Sequence, residues 1–232
     1  MKNPLTLEER AQVPLLIEHD IYSSLRDISL AASGTRQLSP DEVLNKYQHV
    51  KDVLSSITTL CTYIDDLFFD LISAQDLENK LKQVVAVLGG PKKGISYSAS
   101  VEISFTSNLS LLYTALFNLT KNAYGFKDDN DGKVVITVSE FSGGIPNAIY
   151  VSAESPTEGN FIRLAVQDNG PGFPSDKPLT EFLKLGVSTR GSNPGFGLYY
   201  VTLVCKALRS HLTIDSKQGE TAVAIYHPLT LT

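Results

Sequence analysis

Three short runs carry residue types suited to chemistry. Asp168-Asn169-Gly170-Pro171-Gly172 directly follows a predicted strand. Its glycines let backbone approach a ligand where any side chain would obstruct it. The Asp168 carboxylate can accept a hydrogen bond from an exocyclic amine, although the same run also suits a tight turn between strands. Gly195-Phe196-Gly197 opens a helix predicted from Leu198 to Leu208, where free backbone N–H groups and the helix dipole favour phosphate oxygens. In Asn118-Leu119-Thr120-Lys121-Asn122-Ala123, two asparagines four residues apart share the face of a helix otherwise lined by Leu112, Leu116 and Leu119. Asparagine is a poor helix former, and its amide oxygen is a hard ligand suited to Mg²⁺, which keeps several waters and takes its other ligands from phosphates. Plain solvent exposure is the competing reading for both asparagines.

The elements that must position these residues are legible in the periodicity. Ile17, Ile21, Leu25 and Ile28 recur at helical spacing between Val13 and Ser33, and Gly34 is placed to stop that helix. Ser39-Pro40-Asp41-Glu42 reads as a second helix start, with a cap, a first-turn proline and acids near the positive dipole end. From there Val43, Tyr47, Val50, Leu54, Ile57, Cys61, Ile64, Phe68 and Leu71 follow at steps of four and three, the seam of a helix bundle. Such a helix runs about 30 residues, or roughly 45 Å, and requires a long partner surface. Two hairpins of this kind pair as a four-helix bundle.

Beyond Ala74 the pattern changes to a short helix (Asp76 to Leu88), a strand (Ile95 to Ile103), a helix (Leu109 to about Tyr124) and strands at Lys133–Val138 and Phe161–Gln167. Ala148-Ile149-Tyr150-Val151 reads as a strand inside a long hairpin. After the helix opened by Gly197 come strands at His211–Asp215 and Thr221–His227. The fold class is therefore α+β: a helical hairpin over residues 1–74, then a two-layer α/β sandwich over 75–232.

Together, these runs in this order and at these separations resemble the N, G1 and G2 boxes of the Bergerat-fold ATPase superfamily shared by gyrase, Hsp90, MutL and histidine kinases. The resemblance implies that Asn122 binds Mg²⁺ and that Asn118 supports the metal and phosphate site. It also implies that Asp168 contacts the adenine amine of ATP, and that Gly170, Gly172, Gly195 and Gly197 shape the pocket. Leu198 belongs to the same ATP site, as does Thr221 in Gly219-Glu220-Thr221, which looks like the G3 box. Glu181 to Arg190 resembles the kinase F box and the start of the ATP lid, with Arg190 set to reach a phosphate or to remain a surface arginine.

In gyrase-like members a glutamate four residues before the metal-binding asparagine activates water. Here that position is Asn118, as in histidine kinases, which favours a protein acceptor. Glu18-His19-Asp20-Ile21-Tyr22-Ser23-Ser24-Leu25 resembles the H box. At 100° per residue, His19 lies about 180° from the mean direction of Ile17, Ile21, Leu25 and Ile28, so those four can be buried while the imidazole faces solvent. A ring with pKa near 6.5 is substantially neutral and nucleophilic at pH 7, and Asp20 can orient it or take its second proton.

The match has departures. Tyr22 and Ser24 stand where the familiar H box has a basic residue and a proline. Ser23 takes the place of the Thr or Asn that assists phosphatase action, and Gly125 stands where many kinases carry a basic residue. His49, beside the seam, is expected to be structural, and no chemistry is assigned to His211 or His227.

Bulk properties narrow the classes. A net charge of −5 removes the electrostatic footprint of a nucleic-acid binder. Cys61 and Cys205 sit in apolar helical patterns without metal-ligand spacing, which fits a reducing cytoplasm. No apolar run is long enough for a membrane segment or signal peptide. The expectation is an ATP- and Mg²⁺-dependent protein-histidine kinase, a homodimer that autophosphorylates His19 and passes phosphate to a response-regulator receiver domain. The rivals are a histidine phosphotransfer protein of kinase-like fold, a serine/threonine protein kinase of the same superfamily, and an ATP-gated interaction module.

Overall fold

The computed structural model describes residues 5–61, 69–126, 132–153, 155–188 and 196–229, the side chains of residues 15–20 and 92 excepted. Helix α1 spans Leu7–Ala32, starting earlier than its apolar periodicity suggests because Thr6 and Glu9 form a capping box. The Thr6 hydroxyl accepts from the Glu9 N–H at 3.2 Å, and the Glu9 carboxylate accepts from the Thr6 N–H at 2.7 Å. Pro14 lies within α1 and has no N–H to offer the Arg10 carbonyl one turn back. The Cys61 thiol donates to that carbonyl instead, at 3.3 Å, joining α1 to the end of helix α2 (Pro40–Cys61).

Helix α2 begins as its sequence indicates, with Ser39 and Glu42 exchanging N–H and side-chain bonds. It does not continue to Leu71, which lies in strand β1 (Asp70–Ile72); Ile64 and Phe68 fall outside the described residues. The seam spacing runs on to residues that form a strand, because β1 gains an antiparallel partner, β3 (Phe105–Ser107). Within β1, Asp70 and Leu71 are exposed and Ile72 is buried.

The buried residues of α2 are His49, Val50, Asp52, Val53, Ser56 and Leu60. Much of that surface meets the following helices α3 (Ala74–Leu88) and α4 (Leu109–Phe126). The His49 Nδ1 lies 2.8 Å from the Tyr113 hydroxyl, with its ring 4.2 Å from Phe117. The Ser56 hydroxyl donates to the Ser110 carbonyl at 2.8 Å and lies 2.6 Å from the Thr114 hydroxyl. Asp52 accepts from Lys80 at 2.7 Å and Gln83 at 2.8 Å. These paired polar groups let α2 bury a face that seam spacing alone left for solvent. Tyr47 and Leu54 of the expected seam stay 60% and 49% exposed. On α1, Leu25 is likewise half-exposed while Ser24 and Asp27 are buried, so the buried stripe is rotated from the one expected through Leu25.

The main sheet has six strands in the order β2-β4-β6-β8-β7-β5: β2 (Ile95–Ser100), β4 (Val134–Gly144), β5 (Ala148–Tyr150), β6 (Glu158–Asp168), β7 (His211–Lys217) and β8 (Glu220–Pro228). Strands β2 and β4 are parallel and the other pairs antiparallel. On one face, Ile136, Leu164, Val166 and Ile225 share a core with Leu112 and Leu116 of α4 and with Val201 and Val204 of helix α5 (Gly197–Ala207). Buried Phe161, Ala165, Ala224 and Tyr226 form a second cluster, with Phe141 and Ile145 against it. The layers are those of the expected α+β sandwich.

Strand β5 forms where an apolar patch predicted one, but it pairs with β7 at the far edge rather than within the β4–β6 hairpin. His211 secures this excursion: its Nδ1 accepts from the Ser152 N–H at 3.2 Å, which leaves Nε2–H to donate to the Pro156 carbonyl at 2.9 Å.

Candidate functional site

The ends of β6 and β8 and the facing turns of α4 and α5 surround an open pocket of about 770 Å³, open solvent included. Its wall contains Asn122, Asp168, Gly172, Gly197, Leu198 and Thr221, six of the residues singled out from sequence. Leu119, Ala123, Val166 and Val223 supply an apolar floor, and Phe173, Phe182, Val187 and Ser188 close one side.

Strand β6 ends at Asp168, whose carboxylate accepts from the Gly170 N–H at 2.9 Å. The Gly170 carbonyl accepts from the Gly219 N–H at 2.9 Å, tying this turn to the one between β7 and β8. Gly172 has φ +82°, and a Cβ there would stand 2.9 Å from the Ser216 hydroxyl and 3.1 Å from the Lys217 carbonyl. The turn therefore needs glycine for both conformation and space. Ser216 also accepts from the Phe173 N–H at 2.8 Å, and Asn169 from the Lys133 N–H at 2.9 Å. Burial pushes the Asp168 carboxyl above its ordinary pKa, offset in part by the Gly170 N–H. A buried acceptor held by a rigid turn suits recognition of an amine donor.

Across the pocket, α5 begins at Gly197 against the Asn122 amide, which a Cβ at position 197 would approach to 2.8 Å. The pocket thus has an acceptor at the β6 end and, at the other, a side-chain amide beside the first N–H groups of a helix, which favour phosphate. Asn122 can present one hard oxygen there. Among the described residues no group of three or more His, Cys, Asp or Glu is placed to hold a metal by itself. That donor set fits Mg²⁺ shared with phosphates and water rather than a closed protein site.

Asn118, one turn before Asn122, is buried and does not line the pocket; its amide donates to the Thr114 carbonyl at 2.9 Å. Ser23 is half-buried on α1. Arg190 and Gly195 lie outside the described residues, as do the side chains of His19 and Asp20. Sequence reasoning did not assign Val166, Val223 and Phe173 to the site. Val166 and Val223 are paired across β6 and β8, and only that register reveals them as one floor. Phe173 packs at 5.1 Å on Phe182 of the F-box-like run, within a 3₁₀ turn Leu179–Leu183.

The other histidines are structural. His49 and His227 are fully buried. The His227 Nε2–H donates to the Thr106 carbonyl at 3.1 Å while Nδ1 lies 3.0 Å from the Ser210 hydroxyl, and burial drives its pKa down to about 4. No described helix is long and apolar enough to cross a membrane.

Comparison with curated protein sequences finds no match. Among solved structures, full-length ShkA in complex with AMPPNP aligns over 98% of this chain at 19% identity and TM-score 0.56, and this chain spans 47% of it. The catalytic domain of histidine kinase ThkA aligns over 70% of this chain and 97% of its own (15% identity, TM-score 0.53). The mycobacterial sensor histidine kinase MprB aligns over 71% of this chain and 100% of its own (17% identity, TM-score 0.51). At these identities the likeness is one of fold. The profile of histidine kinase-, DNA gyrase B-, and HSP90-like ATPases matches residues 107–231, more than half of the sequence and the whole of the pocket just described, and the chain belongs to that ATPase family.

Proposed function

We propose that this protein is an ATP-dependent protein-histidine kinase that phosphorylates His19 and passes the phosphoryl group to a receiver-domain aspartate of a response regulator. The observation that carries this reading is the pocket's chemistry. Asp168 supplies an acceptor for the adenine amine, α5 supplies N–H donors for phosphate, and Asp168 is the only carboxylate among the described lining residues. A hydrolase needs a base beside the γ-phosphate, and position 118, where a water-activating glutamate would stand, holds an amide tied to Thr114. The acceptor is then a protein side chain, supplied by the histidine of α1.

Residues 1–74 act as the dimerisation and phosphoacceptor hairpin and 75–232 as the ATP-binding unit. Asn122 would hold Mg²⁺, whose charge would offset that of the phosphates. Gly197, Leu198 and Thr221 line the phosphate and base regions, Gly195 and Arg190 are assigned to phosphate by the resemblance of their runs to the G2 box and the lid, Asp20 is assigned to orient the His19 imidazole, and Ser23 occupies the phosphatase position. Homodimerisation uses the hairpin, where Tyr22 (67%), Leu25 (50%), Leu44 (62%), Tyr47 (60%) and Leu54 (49%) are exposed. The site of action is the cytoplasm, where ATP and receiver domains meet.

Incubation of the protein and of His19→Ala with γ-labelled Mg-ATP tests the proposal. Acid-labile, alkali-stable label that requires His19 supports it. Equal labelling of the variant removes His19 as acceptor, and ATP binding without any label favours a gated interaction module.

A further inference from the structure

Besides the β1–β3 pairing, two sets of contacts among the described residues join the hairpin to the ATP-binding unit. The first is the buried polar face of α2 on α3 and α4, from His49, Asp52 and Ser56. The second lies between α1 and α5 and has a direction. Lys206 donates to the Glu9 carboxylate at 2.8 and 3.0 Å, and the Tyr199 hydroxyl donates to the Gln12 side-chain carbonyl at 2.7 Å. As α1 advances from Glu9 to Gln12, its partners on α5 retreat from Lys206 to Tyr199, two residues from Gly197. The two helices therefore run antiparallel, and α1 travels toward the end of α5 that opens on the pocket.

Position 19 is seven residues beyond Gln12, about 10 Å further in the same direction at 1.5 Å per residue. Seven residues at 100° each return to within about 20° of the Gln12 direction, the direction of the Tyr199 contact.

We infer that each chain phosphorylates its own His19, with Glu9–Lys206 and Gln12–Tyr199 as positioning contacts that lay α1 along α5 of the same chain. This rests on the histidine-kinase reading above. In the transfer, a ring nitrogen of His19 donates its electron pair to form the N–P bond. The bond from the γ-phosphorus to the bridging oxygen breaks, ADP leaves with that pair, and the other ring nitrogen releases its proton to solvent.

Two experiments on the full chain test the inference. Differently tagged His19→Ala and Asp168→Asn chains are co-expressed, isolated as the mixed dimer and incubated with γ-labelled Mg-ATP beside wild type. Transfer within a chain leaves the mixed dimer with under a tenth of the wild-type label, whereas label on the Asp168→Asn chain near half the wild-type level overturns the inference. Wild type that binds ATP without labelling would sink the kinase reading instead. Docking is then read independently with a short bismaleimide crosslinker, which spans the length of the Tyr199 and Gln12 side chains that meet tip to tip, on chains carrying Gln12→Cys, Tyr199→Cys or both. A crosslink within the doubly substituted chain, and none between singly substituted chains in a mixed dimer, is expected; a between-chain crosslink overturns it. Lys206→Glu should slow labelling several-fold without changing ATP affinity, whereas Lys206→Arg, which keeps the pair with Glu9 and leaves the Thr6–Glu9 cap intact, should label at the wild-type rate. Labelling of Lys206→Glu at the wild-type rate removes the positioning role.

Discussion

Gly197, the first residue of α5, touches the side chain of Asn122 on α4: a Cβ added to the glycine would stand 2.8 Å from Nδ2 and 3.0 Å from Oδ1. The contact joins two runs 75 residues apart in sequence and sets the spacing between a metal-suited amide and a helix N-terminus.

Gly197→Ala is expected to displace the Asn122 amide, the end of a side chain able to swing away, so the fold is little affected while the site is disturbed. Affinity for Mg-ATP should fall about tenfold or more, equivalent to roughly 1.4 kcal/mol, with the melting temperature nearly unchanged. Nucleotide titration by calorimetry beside thermal unfolding checks this, and equal losses in both would contradict it.

Gly172→Ala acts differently, because φ is +82° and the new Cβ meets the Lys217 backbone carbonyl at 3.1 Å as well as the Ser216 hydroxyl. Backbone cannot swing aside. The variant should lose about 1–3 kcal/mol of stability, visible as an earlier denaturant midpoint at unchanged slope.

Asp168→Asn preserves an acceptor for the Gly170 N–H but turns an amide N–H₂ toward the pocket, donor against the donor of the adenine amine. ATP affinity should drop by about 10- to 100-fold, the range expected for a buried donor left without its acceptor. Inosine triphosphate, with a carbonyl in place of that amine, should lose less affinity on the same substitution. A competition titration with both nucleotides decides it.

His227 gives the fold a pH dependence. Its folded pKa of about 4 lies below the unfolded value of 6.5 because burial disfavours the charged ring, an effect only partly offset by bonds to the Thr106 and Leu208 carbonyls. The native state therefore holds fewer protons. The stability from the neutral ring is complete above pH 6.5 and is lost as pH falls toward 4, by up to roughly 3 kcal/mol at 1.36 kcal/mol per unit. Urea unfolding between pH 7 and pH 4.5 measures this, and His227→Gln should flatten that part of the curve. His211, whose pKa burial also lowers, contributes with the same sign.

The nucleotide pocket and the elements around it were legible in the sequence because each rests on local physics. Asp168 ends a strand, Gly172 occupies a turn that requires positive φ, and Gly197 opens a helix, and each is encoded within a few residues. Helix α2 shows where local signals stop. Its seam spacing placed Leu71 on a helix, yet Leu71 stands in β1, because pairing with β3 is a contact between residues 70–72 and 105–107 that no local window contains. The β5 patch was readable as a strand, but its partner β7 was not, since sheet order depends on which edge remains unpaired.

Residue types and spacing carried the α+β class and singled out Asn122, Asp168, Gly172 and Gly197, and the resemblance of those runs to the N, G1 and G2 boxes pointed to the ATPase family. Only the tertiary structure decided which face of the hairpin is buried: that depended on whether His49, Asp52 and Ser56 could find polar partners on α3 and α4. Hydrophobic periodicity cannot register a buried polar face, because its stability comes from long-range hydrogen bonds rather than from apolar side chains that repeat along the helix.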